Sequence, residues 1–268
     1  VGQSLSPVMH NAWLAAAGID ACYVAVRMQE ATAAFGAVAH LGLAGANVTV
    51  PHKGAALEAF TPGDELTKAI GAANTLVWHP DGRVRAYNTD AAGFTTSLTA
   101  AGVSWQGRSA LLMGAGGAAR AIGFGLGAGG TALRIANRNP DRAEALVQDL
   151  RAAGYAAQAV PWGQRDAAVG EAELLINTTT QGMVGQPPLT LDLARAGAGT
   201  TVIDIVYAPL QTPLLAAAEA QGLRTVDGLG MLIHQGALAF AHWFGKSPDI
   251  AAARPLLLAA LAARGTKQ

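Results

Sequence analysis

An apolar strand runs directly into a glycine-rich turn in the stretch Ala110-Leu111-Leu112-Met113-Gly114-Ala115-Gly116-Gly117-Ala118-Ala119-Arg120. The pattern G-x-G-x-x-A between a strand and a helix is typical of dinucleotide-binding folds, in which backbone N–H groups at the helix start hold a pyrophosphate. Glycine and alanine are abundant along the chain, so the turn alone is weak evidence and its context must support it. We predict that Gly114 to Ala118 contact a dinucleotide.

The next strand, Ala132 to Ala136, ends in Asn137-Arg138-Asn139, with Arg142 one turn further on. A protein that binds NAD carries Asp or Glu about 20 residues after the glycines, where the carboxylate binds the ribose hydroxyls. A guanidinium at this position binds the extra 2′-phosphate of NADP, which a carboxylate would repel. The residues therefore favour NADP, and the alternative is a basic loop on a purely structural α/β layer.

Strands and helices continue to alternate after this point, with strands predicted near residues 157–160, 174–176, 202–206 and 225–226. Polar residues follow two of these strands, at Asn177-Thr178-Thr179 and at Tyr207. Open parallel sheets bind ligands beyond the carboxyl ends of their strands, so we expect Thr178 to lie at a ligand site. Two apolar helices, about 229–244 and 250–262, close the chain. Gln235 lies mid-helix in the first of them, one turn beyond Met231.

A second polar stretch, Asn47-Val48-Thr49-Val50-Pro51-His52-Lys53, reads as a β-branched strand that stops at a proline. Pro51 suits the first helical position, where its missing N–H costs nothing. Lys53 is then expected at a strand-to-helix junction, where α/β proteins place chemistry, and a plain surface lysine is the alternative. A binding role is favoured because polar clusters flanked by glycine or proline recur at Ser4-Leu5-Ser6-Pro7, Asn74-Thr75, Asn88-Thr89-Asp90 and Gln235.

The first helix is predicted to start at Ser6, as its N-cap, with Pro7 at the first helical position and Gly18 as its stop. As a cap, Ser6 needs no further role. The hydroxyls of Ser4 and Ser6 beside the exposed N–H groups of a helix start would also suit a carboxylate.

A strand at 23–27, a helix at about 31–41 and the strand that ends at Pro51 form a βαβ progression, which implies a parallel sheet. Residues 76–78 and 84–87 flank Pro80-Asp81-Gly82 and predict a β-hairpin. After the hairpin, Asp90 is either the N-cap of a helix that runs to about residue 101 or a carboxylate that faces Lys53 across a cleft.

Composition excludes several classes of protein. Lys and Arg (18) balance Asp and Glu (18) in 268 residues without a block of like charge, so nucleic acid and acidic membrane surfaces are not favoured as partners. The expected partners are a small-molecule substrate or a second copy of the chain, and the sequence leaves monomer and homodimer open. The single cysteine, Cys22, is predicted to be buried in a strand, and a reducing cytoplasmic location is expected.

No run of about 18 apolar residues predicts a membrane span, and no signal peptide is recognised. The six histidines show no spacing to Cys or carboxylates that would predict a metal site. The chain begins at Val1 rather than at a methionine, and we expect that a short stretch precedes it.

Several motifs together occur in the order and spacing of the shikimate dehydrogenase family, which the chain resembles along nearly its whole length. They are Ser-x-Ser-Pro (4–7), Asn-Val-Thr-Val-Pro-x-Lys (47–53), Gly-Ala-x-Asn-Thr (71–75), Asn-Thr-Asp-x-x-Gly (88–93), Gly-Ala-Gly-Gly-Ala-x-Arg-Ala (114–121), Asn-Arg (137–138), Asn-Thr-Thr (177–179) and Asp-Gly-Leu-Gly-Met-Leu-x-x-Gln (227–235). Motifs in register over such a length are far more specific than the glycine turn by itself.

The resemblance implies an α/β enzyme with two domains and an active site in the cleft between them. Residues 1–93 and 230–268 would form the α/β substrate domain, with a mostly parallel sheet, and residues 94–229 a Rossmann-type NADP domain. The resemblance implies Lys53 as the acid/base, oriented by Asp90. The substrate carboxylate would meet Ser4 and Ser6, while the ring hydroxyls would meet Thr49, Asn74, Asp90 and Gln235, with Tyr207 nearby. The cofactor would meet Gly114, Ala115, Gly116, Gly117, Ala118, Asn137, Arg138, Asn139, Arg142, the backbone near Ile205, Gly228 and Met231.

The reaction that the resemblance implies is reduction of the ring ketone of 3-dehydroshikimate by NADPH, with a proton from Lys53. One alternative is a quinate/shikimate or aminoshikimate-type dehydrogenase of the same family. Arg138 argues against an NAD preference, but Gly236, where many biosynthetic members carry alanine, leaves the substrate open. The other alternative is an NADP-binding regulatory module without turnover, against which the joint presence of Lys53, Asp90, Asn74 and Gln235 argues.

Overall fold

The computed structural model describes residues 2, 4–28, 30–38, 41 and 43–265. Two units are formed, Val1–Thr89 with Leu232–Gln268, and Asp90–Met231. Up to Thr89 the elements are α1 (Ser6–Ala16), α2 (Ala31–Val38), β1 (Gly45–Asn47), α3 (Lys53–Ala59), β2 (Thr61–Pro62), α4 (Glu65–Ile70), β3 (Thr75–Trp78) and β4 (Val84–Tyr87). The remaining elements are α5 (Asp90–Ala100), β5 (Ser109–Met113), α6 (Gly117–Ala128), β6 (Ala132–Asn137), α7 (Pro140–Ala152), β7 (Ala157–Pro161), α8 (Arg165–Ala168), β8 (Leu174–Asn177), β9 (Thr201–Asp204), α9 (Pro213–Ala220), β10 (Arg224–Val226), α10 (Leu229–Phe244) and α11 (Ala253–Gly265).

The second unit is built on a six-stranded parallel sheet with the order β10-β9-β8-β5-β6-β7. Leu111 and Leu112 of β5 and Leu174 and Leu175 of β8 are fully buried, as expected for central strands of a parallel sheet. From β5 the chain passes first to β6 on one side and later to β8 on the other, so the strand order reverses between β5 and β8. The predicted Rossmann-type fold is confirmed.

The core on one face of this sheet follows the two-residue period of its strands. Leu111 and Met113 of β5 and Leu175 of β8 pack in one apolar cluster with Leu214 and Leu215 of α9. Each such side chain stabilises the fold by about 1.5–3 kcal/mol through removal from water. This packing holds α9 against the sheet and so fixes the segment that connects β9 to α9.

The first unit has a smaller sheet, with the order β1-β3-β4-β2. Strands β3 and β4 form the predicted hairpin, whose turn contains Gly82 at φ +81°. The pairs β1–β3 and β3–β4 are antiparallel and only β2–β4 is parallel, so the expectation of a mostly parallel sheet is wrong for the described strands. The tight hairpin imposes the antiparallel direction, since a parallel pair needs a long crossover connection.

Residues 21–28 form no strand, although a strand was predicted at 23–27. A strand needs a hydrogen-bonded neighbour, and the Asn11 side chain takes both backbone groups of Tyr23: Tyr23 N–H donates to Asn11 Oδ1 (2.7 Å) and Asn11 Nδ2 donates to the Tyr23 carbonyl (2.9 Å). Val24 and Val26 are 65% and 64% exposed. Cys22 is exposed as well, so its predicted burial is wrong.

The start of α1 differs from the prediction by one residue. Helix α1 begins at Ser6 itself, with Leu5 as the N-cap, so the prediction of Ser6 as cap is wrong. The reason is the neighbouring hydroxyl, because Ser4 Oγ accepts the Ser6 N–H (3.2 Å) and closes the turn before the helix. The two serines therefore lie together at the first turn of α1.

Lys53 is the first residue of α3, as the strand-to-helix junction predicted. The details of the junction differ, since β1 ends at Asn47 and Pro51 lies before the helix rather than in its first turn. The peptide bond between Val50 and Pro51 is cis, and the His52 N–H donates to the Thr49 carbonyl (2.9 Å), which makes a proline turn between strand and helix. Across the described ranges, no helix is both long and apolar enough to cross a membrane.

Candidate functional site

Four neutral polar side chains form a buried cluster in the first unit: Asn74, Thr75, Thr89 and Gln235, here called the neutral cluster. Asn74 Nδ2 donates to the Thr89 hydroxyl (3.0 Å) and to Gln235 Oε1 (3.1 Å). Asn74 Oδ1 accepts the Thr89 N–H (2.8 Å), and the hydroxyls of Thr75 and Thr89 lie 3.1 Å apart. The predicted residues Asn74 and Gln235 are thus brought into contact from positions 161 apart in the chain.

Asn47 supports the neutral cluster from β1. Its Nδ2 donates to the Asn74 carbonyl (3.2 Å) and to Thr75 Oγ1 (3.3 Å), and its Oδ1 accepts the Tyr23 hydroxyl (3.0 Å). Sequence reasoning did not propose Asn47, Thr75 or Thr89 as site residues. The sequence did contain an indication of their role, because all three lie inside the quoted motifs.

Lys53 is tied to the neutral cluster through its backbone. The Lys53 carbonyl accepts the N–H of Ala73, the residue before Asn74, at 2.9 Å. The side chain of Lys53 is half-buried, and Thr49 lies exposed four residues earlier. The first unit therefore holds amides and hydroxyls together, with the backbone of Lys53 hydrogen-bonded next to them. Amides, hydroxyls and an amine are groups suited to binding a polyhydroxylated ring and to moving a proton at one of its oxygens.

Ser4 and Ser6 are half-buried at the first turn of α1. Arg264 of α11 donates from Nη2 to the Ser4 carbonyl (3.0 Å), a contact between residues 260 positions apart that no local sequence pattern predicts. Helix α1 packs closely on α10, because a Cβ at Gly236 would overlap Met9 Cε. Gly236 therefore faces α1.

Asp90 is the first residue of α5 and is buried. It follows Thr89 of the neutral cluster directly in the chain. Its predicted orientation toward Lys53 stays a prediction.

The glycine-rich turn of the second unit is bare backbone at a helix start. Gly114 adopts φ +116°, and a Cβ there would overlap Thr178 Oγ1. Gly116 is the N-cap of α6, and a Cβ on it would meet no atom within 4 Å. The Thr178 hydroxyl donates to the carbonyl of Met113, the residue before Gly114 (2.7 Å), and so holds the start of the turn in place. Open space beside unpaired first-turn N–H groups fits a pyrophosphate.

The loop after β6 leaves two cations in solvent. Asn137 Nδ2 donates to the Asn139 carbonyl (2.8 Å), and Asn139 Oδ1 accepts the Arg142 N–H (3.3 Å), which caps α7. Arg138 and Arg142 are exposed, and within the described part of the chain neither guanidinium makes a hydrogen bond or an ion pair. Two such groups at the carboxyl end of β6 fit a phosphate group.

A buried carboxylate lies at the carboxyl ends of β8 and β9. Asp204 Oδ1 accepts from Asn177 Nδ2 (2.9 Å) and from the Val206 N–H (3.0 Å), and Oδ2 accepts from the Thr212 hydroxyl (2.8 Å). Burial raises the pKa of the Asp204 carboxyl above its ordinary value, and these hydrogen bonds offset part of the rise. Sequence reasoning missed Asp204, although an acid within a predicted apolar strand was a signal.

The remaining predicted cofactor residues also lie in the second unit. Ile205 follows β9, and its N–H donates to the Asn177 carbonyl (3.2 Å). A Cβ at Gly228 would overlap the Ile205 carbonyl oxygen, so only glycine allows this approach of the two backbones. Tyr207 is half-buried and Met231 is buried. Among the residues that the structure describes, no group of three or more His, Cys, Asp or Glu is placed to hold a metal ion.

Two family models match the chain. Residues 1–76 match the shikimate dehydrogenase substrate binding domain, and residues 228–258 match the shikimate 5′-dehydrogenase C-terminal domain. A curated shikimate dehydrogenase (NADP(+)) from Acidiphilium cryptum is 46% identical over 252 residues, which cover 93% of this chain and 89% of that protein.

Two solved structures show the same fold over nearly the whole chain. Shikimate 5-dehydrogenase from Thermus thermophilus, in complex with NADP(H) and shikimate, is 36% identical with a TM-score of 0.84 and 96% coverage of both chains. Quinate dehydrogenase from Corynebacterium glutamicum, in complex with NAD, is 31% identical with a TM-score of 0.87, and the match covers 96% of this chain and 95% of that one.

Proposed function

The chain belongs to the shikimate dehydrogenase family, and from that premise we propose how its own residues carry out the NADP-dependent interconversion of 3-dehydroshikimate and shikimate. The observation that carries the proposal is the neutral cluster beside Lys53. It offers amide and hydroxyl groups without net charge, which suits ring hydroxyls, and the Lys53 backbone carbonyl accepts the N–H of Ala73, the residue before Asn74.

Substrate binding is assigned mainly to the first unit. Asn74 and Gln235, with Thr49 and Asp90, hold the ring hydroxyls, and Tyr207 completes the set. Ser4 and Ser6 hold the carboxylate, because their hydroxyls lie at the first turn of α1, where unpaired N–H groups favour an anion.

Cofactor binding is assigned to the second unit. The backbone from Gly114 to Ala118 holds the pyrophosphate at the start of α6, and Thr178 supports the turn. Arg138 and Arg142 hold the 2′-phosphate, while Asn137 and Asn139 shape their loop. Ile205, Gly228 and Met231 serve the nicotinamide half.

NADPH, when bound, supplies the hydride that reduces the ring ketone. Lys53 donates a proton to the oxygen that carries the developing negative charge, which yields the hydroxyl of shikimate, and it accepts that proton in the reverse direction. Asp90 orients Lys53 and the hydroxyl.

A quinate-preferring enzyme is the second candidate, since the related Corynebacterium glutamicum protein is a quinate dehydrogenase in complex with NAD. One observation favours NADP over NAD. Arg138 and Arg142 are exposed cations where an NAD enzyme carries an acid. Gly236 faces Met9 of α1, so a side chain at this position would alter the packing of α1.

The test is absorbance at the nicotinamide band with purified protein, comparing shikimate and quinate, each with NADP and with NAD. We expect strong turnover with shikimate and NADP. Turnover with quinate or NAD of equal strength would overturn the specificity, and tight NADP binding without any turnover would favour a regulatory module. The cytoplasmic location and a homodimeric state stay predictions.

A further inference from the structure

The side chain of Asp204 is fully buried, with no exposed surface. Within the described part of the chain no Lys, Arg or His forms an ion pair with it. A buried carboxylate without a cation is unfavourable for folding unless hydrogen bonds replace its water. Here the carboxylate accepts three hydrogen bonds, from Asn177, Val206 and Thr212, and these replace its contacts with water.

These bonds join three segments of the second unit. Asn177 ends β8, and its side chain is fully used: Nδ2 also donates to the Gln181 carbonyl (3.0 Å), and Oδ1 accepts the N–H (2.9 Å) and the hydroxyl (2.7 Å) of Thr179. Through Asn177 the carboxylate fixes residues 178–181. Through Val206 it fixes the segment after β9.

The third segment is the start of α9. Thr212 is the N-cap of this helix, where its Oγ1 accepts the Leu215 N–H (3.3 Å) while its hydroxyl donates to Asp204. Helix α9 is packed on the sheet through Leu214 and Leu215. Asp204 therefore anchors two loops, those after β8 and β9, to a helix that the core holds in place.

Stability does not explain why this residue is charged. An asparagine has nearly the same shape, and its carbonyl oxygen could accept from Asn177 and Val206 while its amide donates to the Thr212 oxygen. Such a neutral side chain would avoid the unfavourable burial of a charge. What the carboxylate adds is the greater strength of hydrogen bonds to an ionised acceptor.

The strand order locates these loops relative to a bound dinucleotide. The glycine-rich turn follows β5 and the exposed arginines follow β6, so the adenosine half with its 2′-phosphate lies on the β6 side. A dinucleotide lies across the point where the strand order reverses, between β5 and β8. The nicotinamide half then lies over the carboxyl ends of β8 and β9, where Asp204 ties the loops.

We propose that Asp204 is a positioning residue, whose carboxylate holds the loops after β8 and β9 in the geometry that binds the nicotinamide half of NADP. The proposal rests on the proposed function, because it assumes NADP as the ligand of the second unit. Asp204 does not touch the cofactor itself. It acts through the segment that carries Ile205 and Tyr207.

The experiment measures binding by calorimetry for two ligands, NADP and adenosine 2′,5′-bisphosphate, which contains only the adenosine half and its 2′-phosphate. Asp204→Ala removes the tie, Asp204→Asn keeps its hydrogen-bonding shape, and Asp192→Asn is the matched control. Asp192 is an exposed carboxylate of the same unit that caps a turn by accepting the Ala194 N–H (3.0 Å). The kcat with shikimate and NADP is measured in parallel.

For Asp204→Ala we expect the Kd of NADP to rise and kcat to fall, each by about tenfold, which corresponds to one lost charge-assisted hydrogen bond. The Kd of adenosine 2′,5′-bisphosphate should stay within about twofold, the range of a neutral surface substitution. Asp204→Asn keeps the hydrogen-bonding shape without the charge, so it should recover only part of the loss, and Asp192→Asn should match the wild type.

Two results would overturn the proposal: an Asp204→Ala protein that binds NADP like the control, or one in which both ligands weaken equally, which indicates a general loss of the unit. If Asp204→Ala does not fold, Thr212→Val cuts the same tie from the α9 side, with Thr212→Ser as its control. Wild-type protein that binds NADP but does not turn over shikimate would refute the proposed function alone, because the two binding constants still test Asp204.

Discussion

The neutral cluster of the first unit and the Asp204 network of the second unit are both buried hydrogen-bond networks, and they differ in charge. The neutral cluster of the first unit consists of amides and hydroxyls around Asn74. The network of the second unit is centred on the carboxylate of Asp204. Both join separate segments of the chain, so connection alone does not distinguish them.

The difference in charge matches the ligand that each network serves in the proposed function. Ring hydroxyls are neutral donors and acceptors, so a neutral cluster can bind them without removing a charge from water. The Asp204 network serves loops rather than a ligand, and there the greater strength of charge-assisted hydrogen bonds is useful. The neutral cluster should therefore be sensitive to the introduction of charge, and the Asp204 network to its removal.

The largest effect is expected from Lys53, the amine whose backbone is joined to the neutral cluster. Lys53→Ala should lower kcat by at least about 10²-fold with little change in KM, because general acid/base catalysis contributes at that level. Steady-state kinetics in both directions measure it. Lys68→Ala is the control, since Lys68 is an exposed lysine of the same unit that pairs with Glu65. An unchanged kcat would remove Lys53 from the chemistry and leave the neutral cluster as a binding site only.

Charge placed in the neutral cluster should have the next largest effect. Asn74→Asp keeps the size of the side chain but loses the Nδ2 donor to Thr89 and Gln235 and sets a carboxylate against Gln235 Oε1. We expect the KM for shikimate to rise by about tenfold or more and the free energy of unfolding to fall by about 1–3 kcal/mol, the penalty for unsatisfied buried groups. Kinetics and urea denaturation measure the two effects.

Thr75→Ser is the matched control in the same cluster, because it keeps the hydroxyl that Asn47 and Thr89 contact. It should retain wild-type KM within about twofold. If Asn74→Asp behaved like Thr75→Ser, the neutrality of the cluster would have no bearing on substrate binding, and the contrast between the two networks would be accidental.

The cofactor end of the second unit offers an effect of intermediate size. Arg138→Ala should raise the KM for NADP by about tenfold, the value of one charge-assisted contact with the 2′-phosphate, and leave the KM for NAD nearly unchanged. The ratio of the two constants is the measurement. Arg195→Ala, at another exposed arginine of the same unit, should change neither constant. A parallel rise for NADP and NAD would mean that Arg138 supports the loop rather than the phosphate.

The second unit was predicted more accurately than the first because its signals are local. The strand, turn and helix around Gly114 lie within a few residues, and the strands predicted near 157–160 and 174–176 are found at Ala157–Pro161 and Leu174–Asn177. In such elements the residues that determine the structure are neighbours in the chain. Gly114 adopts φ +116°, a backbone conformation that favours glycine, so the residue type itself indicates the local conformation.

The errors arose where a distant or competing partner decided the outcome. Residues 21–28 have the composition of a strand, but the Asn11 side chain takes the backbone groups of Tyr23. The tie between Arg264 and Ser4 spans 260 positions, and no periodicity reports such a contact. Asp204 was missed because its side-chain partners, Asn177 and Thr212, lie 27 and 8 positions away and are identified only when β8, β9 and α9 pack together.

The smallest predicted effect concerns stability, and it tests the charge of the Asp204 network directly. Burial raises the pKa of the Asp204 carboxyl above its ordinary value of 3.8, so between these two pKa values the folded protein holds more protons than the unfolded chain. The contribution of this group to stability is therefore complete below 3.8 and is lost as pH rises through the raised pKa. Above that window, ionisation of the buried carboxyl lowers the free energy of unfolding. The side chain introduced by Asp204→Asn does not ionise, so this loss of stability is absent from the variant at every pH.

Relative to the wild type, Asp204→Asn should gain stability as the pH rises, by at most about 1.4 kcal/mol per pH unit within the window and by nothing above it. Urea denaturation of both proteins at about pH 4.5 and about pH 7.5 measures the difference, and all other titrating groups cancel in it. Asp192→Asn, at an exposed carboxylate of the same unit, is measured in parallel as the control substitution. If the wild type instead gained stability relative to Asp204→Asn as the pH rose, the ionised carboxylate would be favoured in the folded state. In that case the charge would be explained by stability, and a positioning role for Asp204 would no longer be needed to account for it.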